Sequence, residues 1–122
     1  MTRAGLLALA ALAMAAGGAG ARAETSHAEA AMTPGGDEIA GILALEPDLG
    51  YGAYLASDCT SCHADAAAEG IPRIRDLPTG TIVAALVDYR RGARQHQVME
   101  TIARRLGDEE IAALAAFLGE AD

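Results

Sequence analysis

Gly52-Ala53-Tyr54-Leu55-Ala56-Ser57-Asp58-Cys59-Thr60-Ser61-Cys62-His63 is the stretch that decides how this chain folds. Leu49, Gly52, Ala53 and Ala56 recur at i, i+3, i+4 and i+7, the spacing of one helix face. Pro47 suits the first turn of such a helix. The predicted helix runs straight into two cysteines separated by two residues and followed by a histidine. That is the pattern C-x-x-C-H, the attachment signal for c-type haem. Two intervening residues in a helical turn place both sulfurs along one porphyrin edge, where each thiol can add across a vinyl group and form a thioether. His63, the next residue, then lies beneath the iron and can offer it an imidazole nitrogen.

Other uses of paired cysteines fit less well. A dithiol redox motif belongs in a βαβ setting, and no alternating strand pattern is present. A zinc site needs four ligands, and the remaining histidines, His27 and His96, lie far from the pair along the chain. A structural disulfide has no need of the following histidine.

Ala64 to Pro78, downstream of the motif, has weak periodicity and is punctuated by Gly70, Pro72 and Pro78, which predicts a loop. The free ring nitrogen of an iron-bound histidine commonly donates to a carbonyl, and Pro72 is placed to supply one. Thr79 or Thr81 can cap a second helix, whose face is Ile82, Ala85, Leu86 and Tyr89 and which Gly92 ends. Val98, Ile102 and Leu106 mark a brief third helix. Gly107 breaks it, and Asp108 caps a last one with Glu109 and Glu110 in its first turn and Ile111, Leu114, Ala115 and Leu118 on its buried face.

A sixth iron ligand has to come from this downstream part, where the chain holds one methionine, Met99, and one further histidine, His96. A methionine thioether raises the reduction potential relative to a second histidine. Met99 stands at the start of a predicted helix beside the polar run Arg94-Gln97. That is an uncommon place for a core-filling side chain, so Met99 is favoured over His96 and over a packing role. Tyr89 and Arg94 are candidates to reach the haem propionates; packing and exposure are their alternative roles.

The composition agrees with a helical class. Of the 122 residues, 52% are hydrophobic but only 3% aromatic, and Ala, Leu, Ile and Val carry the apolar content. A small core so poor in aromatics needs reinforcement, which a buried porphyrin supplies. The net charge is −8, and every basic residue is arginine. Such a chain is a poor candidate for nucleic acid, which demands clustered cations, and it is repelled by anionic membranes.

The N-terminus reads as an export signal. Arg3 precedes the apolar run Leu6–Ala16, and Ala21-Arg22-Ala23 has the form of a cleavage site. The expected organisation is a signal peptide over 1–23, a flexible leader over 24–45 with a helical part near Glu38–Leu45, and a cytochrome domain over 46–122. Cleavage after Ala23 would leave no stable membrane span; an uncleaved anchor is the alternative.

From Gly52 to its end the chain resembles the class I cytochromes c. In that family a glycine in the first helix lets an aromatic-bearing last helix cross closely, and Gly52 and Phe117 match those places. More narrowly, Gly70-Ile71-Pro72, Tyr89-Arg90-Arg91-Gly92-Ala93-Arg94, Val98-Met99-Glu100-Thr101-Ile102-Ala103 and Asp108-Glu109-Glu110-Ile111 are similar to the small cytochrome subunits of flavocytochrome c sulfide dehydrogenases. The resemblance implies an all-α class I cytochrome c fold of three to five short helices around one covalent haem. It implies Cys59, Cys62, His63 and Met99 as haem-binding residues, with His63 and Met99 on the iron. It also implies a periplasmic one-electron carrier, not itself an enzyme, whose redox partner is a flavoprotein sulfide dehydrogenase or a similar sulfur-oxidising dehydrogenase. The competing function is a haem protein with an open sixth site for ligand binding or peroxidase chemistry. Open-iron four-helix cytochromes carry the motif near the C-terminus, whereas here it precedes most of the fold.

Overall fold

A computed structural model describes residues 34–64 and 69–120. The predicted signal peptide (1–23), its cleavage site and His27 lie outside the described residues. The described residues form helices α1 (Gly36–Leu43), α2 (Leu49–Cys62), α3 (Thr79–Arg91), α4 (Gln97–Ala103) and α5 (Asp108–Leu118), with no strand beyond a single bridge between Pro78 and Glu120. The fold is the all-α architecture that the sequence implies.

Asp48 starts α2, its side chain accepting from the Tyr51 backbone N–H at 2.9 Å. Pro47 therefore sits just before the cap and not inside the first turn. The buried face of α2 is Gly52 and Ala56, both small. It lies on α5, which buries Ile111 through Ala115 and Leu118. A Cβ built on Gly52 would stand 2.2 Å from the Ala113 carbonyl oxygen and 3.0 Å from the Phe117 Cβ. Helices α2 and α5 cross at Gly52 and Phe117, and they approach so closely because Gly52 has no side chain where the Ala113 carbonyl lies.

Helix α3 buries Ile82, Val83 and Val87 and ends at Gly92, whose φ of 76° is the left-handed cap geometry. Its buried positions differ from the predicted stripe of Ile82, Ala85, Leu86 and Tyr89. The reason is that α3 packs against three neighbours, α1, α4 and α5, so its apolar surface wraps wider than one face. His96 caps α4, accepting from the Met99 backbone N–H at 3.4 Å, while the His96 N–H donates to Glu100. Gly107, not Asp108, is the cap residue of α5, and its N–H donates to the Glu110 carboxylate.

Part of the predicted flexible leader is ordered. Helix α1 follows Pro34-Gly35-Gly36, with Gly35 at a φ of 89°, and it packs on α3 and α5. Its Ile42 is 1% exposed and joins Val83, Val87, Ile111 and Leu114 as the largest fully buried side chains. Described helical structure thus reaches at least to Gly36, ahead of Glu46, the expected boundary. Helix α1 is held by Arg90 of α3, whose guanidinium bonds to Glu38, to Asp108 at 2.7 Å and to the Leu106 carbonyl at 3.0 Å.

Candidate haem attachment site

The last turn of α2 presents Cys59, half-buried, and Cys62, exposed, both as free thiols. Burial pushes the Cys59 thiol up from its ordinary value, and the neighbouring Asp58 carboxylate adds to the effect. His63 closes the helix, its N–H donating to the Cys59 carbonyl at 2.9 Å. It then leaves helical geometry, with φ −98° and ψ 43°. Its ring is fixed from the loop: Nδ1 lies 2.7 Å from the Pro72 carbonyl oxygen. A carbonyl only accepts, so Nδ1 carries the proton and Nε2 is left with its lone pair. This is the pairing that the placement of Pro72 predicts.

Two thiols a turn apart beside an imidazole with a bare, oriented Nε2 are the donor set that haem c requires. The surrounding helices fit the same group. Among the described helices, α2 packs on α5 alone and α4 on α3 alone, so the helix that bears the cysteines and the helix that bears Met99 do not touch. The zinc reading of the cysteine pair finds no support: among the described residues, no three His, Cys, Asp or Glu side chains gather as a metal site.

Met99 is half-buried, the third residue of α4. His96, the other candidate ligand, spends its Nδ1 on capping that helix. Tyr89 and Arg94 face each other, the guanidinium 5.4 Å from the ring centroid, and the Arg94 backbone N–H donates to the Asp88 carbonyl.

A model of the cytochrome c family matches residues 47–122. The chain belongs to the cytochrome c family. As a member it carries haem c covalently, and Cys59 and Cys62 fit the family's attachment motif. Among its relatives, a thiosulfate dehydrogenase electron acceptor from Stutzerimonas stutzeri is 45% identical over 67 residues, which cover 52% of this chain and 31% of that protein. The cytochrome c-553 of Desulfomicrobium norvegicum is 36% identical over 77 residues, covering 59% of this chain and 95% of that one. The chain thus spans under a third of the first relative's length and nearly all of the second's. Both likenesses fit an electron-transfer cytochrome. The family match begins at residue 47, so α1 is an addition to it.

Sequence reasoning missed Arg90 and its carboxylate partners. The helical part expected near Glu38–Leu45 is α1, which starts two residues earlier, at Gly36. No helix among the described residues is long and apolar enough to cross a membrane.

Proposed function

We propose that this chain is an exported, periplasmic monohaem cytochrome c that accepts single electrons from a sulfur-oxidising dehydrogenase. Cys59 and Cys62 supply the thioether sulfurs, His63 the first axial ligand through Nε2, and Met99 the second. Haem c, when bound, supplies a one-electron couple whose iron alternates between ferrous and ferric. The chain's own residues set the conditions for it. Pro72 holds the His63 ring and fixes its tautomer, which keeps the imidazole a strong donor. With a histidine and a thioether as the ligands, neither axial position is open to substrate, so the protein carries electrons and leaves bond chemistry to its partner.

The observation that carries the haem assignment is the His63–Pro72 contact beside two free thiols. The sulfur-oxidising partner is supported by the 45% identity to a thiosulfate dehydrogenase electron acceptor and by the motifs shared with flavocytochrome c subunits. Export is supported by Arg3, the apolar run and Ala21-Arg22-Ala23.

The test uses protein matured in a bacterial periplasm. Haem should stay with the polypeptide after acid denaturation and solvent extraction. The ferric protein should be reduced on mixing with a purified thiosulfate dehydrogenase and thiosulfate, or with a flavoprotein sulfide dehydrogenase and sulfide. Extractable haem overturns the attachment assignment; failure of both dehydrogenases overturns the partner class.

A further inference from the structure

The outer face of α2 carries side chains that a solvated helix face seldom shows. Tyr54 is 73% exposed and Tyr51 40%. The two tyrosine rings are stacked, with centroids 6.3 Å apart and planes 11° from parallel. Tyr51 is pinned in that position by its hydroxyl, which donates to Glu110 of α5 at 3.1 Å. Tyr51, Tyr54 and Asp58 succeed one another at i, i+3 and i+7, so they share one side of the helix, whereas Gly52 and Ala56 fill the side against α5.

The charge carried by α2 and its approach is of one sign. From Pro34 to Pro72 the chain has no arginine or lysine, and all its described cations lie from Arg73 onward. Glu46 and Asp48 are exposed just ahead of the aromatic pair, and Asp58 is exposed one turn after Tyr54, an acidic rim in sequence. An exposed apolar cluster marks an interaction surface. Tyrosine suits such a surface, since it offers a large contact area at low entropic cost and is enriched at interfaces. The acidic rim sets the partner's chemistry: it repels a second copy of the same face and attracts an apolar centre ringed by arginine and lysine. The face also points to a use. Tyr54 and Cys62 are eight residues apart on one helix, about 12 Å along its axis.

We propose that the Tyr51–Tyr54 face of α2 with its acidic rim is the docking surface for the redox partner, a protein that presents an apolar centre ringed by basic residues. The proposal rests on the electron-acceptor reading above. A partner seated on the tyrosines lies beside the turn that holds the haem.

The experiment is stopped-flow reduction of the full ferric holoprotein by the thiosulfate dehydrogenase of Stutzerimonas stutzeri with thiosulfate, over a range of salt. Tyr54→Ser and Glu46→Arg should each lower the second-order rate constant, about tenfold for Tyr54→Ser. Dithionite reduction, the optical spectrum and the haem potential should stay unchanged in both variants. Added salt should slow the wild type more than Glu46→Arg. If dithionite reduces the wild type and neither this dehydrogenase nor a flavoprotein sulfide dehydrogenase with sulfide does, the electron-acceptor reading fails and the docking proposal with it. If the dehydrogenase reduces wild type and variants alike, the docking surface alone is overturned. It is also overturned if sedimentation shows a wild-type dimer that Tyr54→Ser dissociates, since the face then pairs copies of this chain.

Discussion

Gly52 has no room for a side chain. The Ala113 carbonyl occupies the place of its Cβ, and that oxygen is backbone, unable to swing aside. Gly52→Ala should therefore push α2 off α5 and cost about 3 kcal/mol of stability, measured by denaturant unfolding of the holoprotein. Met99 belongs to the same scale. Met99→Ala should admit carbon monoxide to the ferrous iron and lower the reduction potential; a spectrum and a potential both unchanged would mean that another residue completes the coordination. Tyr51 offers a pH test. Its hydrogen bond to Glu110, together with that carboxylate's charge, holds its phenol above the ordinary 10.0. The native state then keeps a proton that the unfolded chain releases, so the contribution to stability is present below the unfolded value and fades as pH rises through the alkaline range. Glu110→Gln should bring the Tyr51 phenolate absorption in at lower pH. The cysteine pair, the His63–Pro72 contact and the crossing at Gly52 were legible in the sequence because they depend on short-range spacing or on one missing side chain. Arg90 was not, because Glu38 lies 52 residues before it and Asp108 18 after it. Nothing local marks which arginine of the pair Arg90-Arg91 turns inward.

At the level of helices, the motif helix and the last helix could be placed from periodicity, while α1 and α4 show its limits. Helix α4 has the spacing of an amphipathic helix, yet Val98 is 58% exposed and Ile102 39% exposed, and only Ala103 is buried. A helix this short rests on one neighbour, and the spacing does not say which of its apolar residues that neighbour covers. Helix α1 was read as the helical part of a flexible leader, yet Ile42 fills the core and Glu38 reaches Arg90. Arg90 thus ties α1, α3 and the start of α5 together. Arg90→Gln should leave Glu38 and Asp108 without their shared cation and cost about 2 kcal/mol. In hydrogen exchange, the α1 amides should lose protection first, ahead of those in α5. Equal loss in both helices would mean that Arg90 does not fasten α1 in particular.

Over the molecule as a whole, the family match and the fold have different beginnings, residue 47 and Gly36, and the packing explains why. The core is built on α5, which touches α1, α2 and α3. Its C-terminal end is stitched to the approach to α3: the Asp76 N–H donates to the Leu118 carbonyl, Glu120 N–H to Leu77, and Thr79 N–H to Glu120. A chain that stops at Gly107 should remain largely unfolded by circular dichroism, because α2 has no other helix among the described residues to lie on. Native-like helicity in that truncated chain would contradict this account. The crossing of α2 on α5 also orders events in time. A chain emerging N-terminus first brings out Cys59 and Cys62 long before the helix that buries their own. Until Asp108–Leu118 arrives, α2 lacks the one described helix it packs on, and the loop between the two helices has to be closed late. The thiols are most open to modification in the interval between emergence and folding, and with the last helix in place Cys59 is half-buried while Cys62 stays exposed.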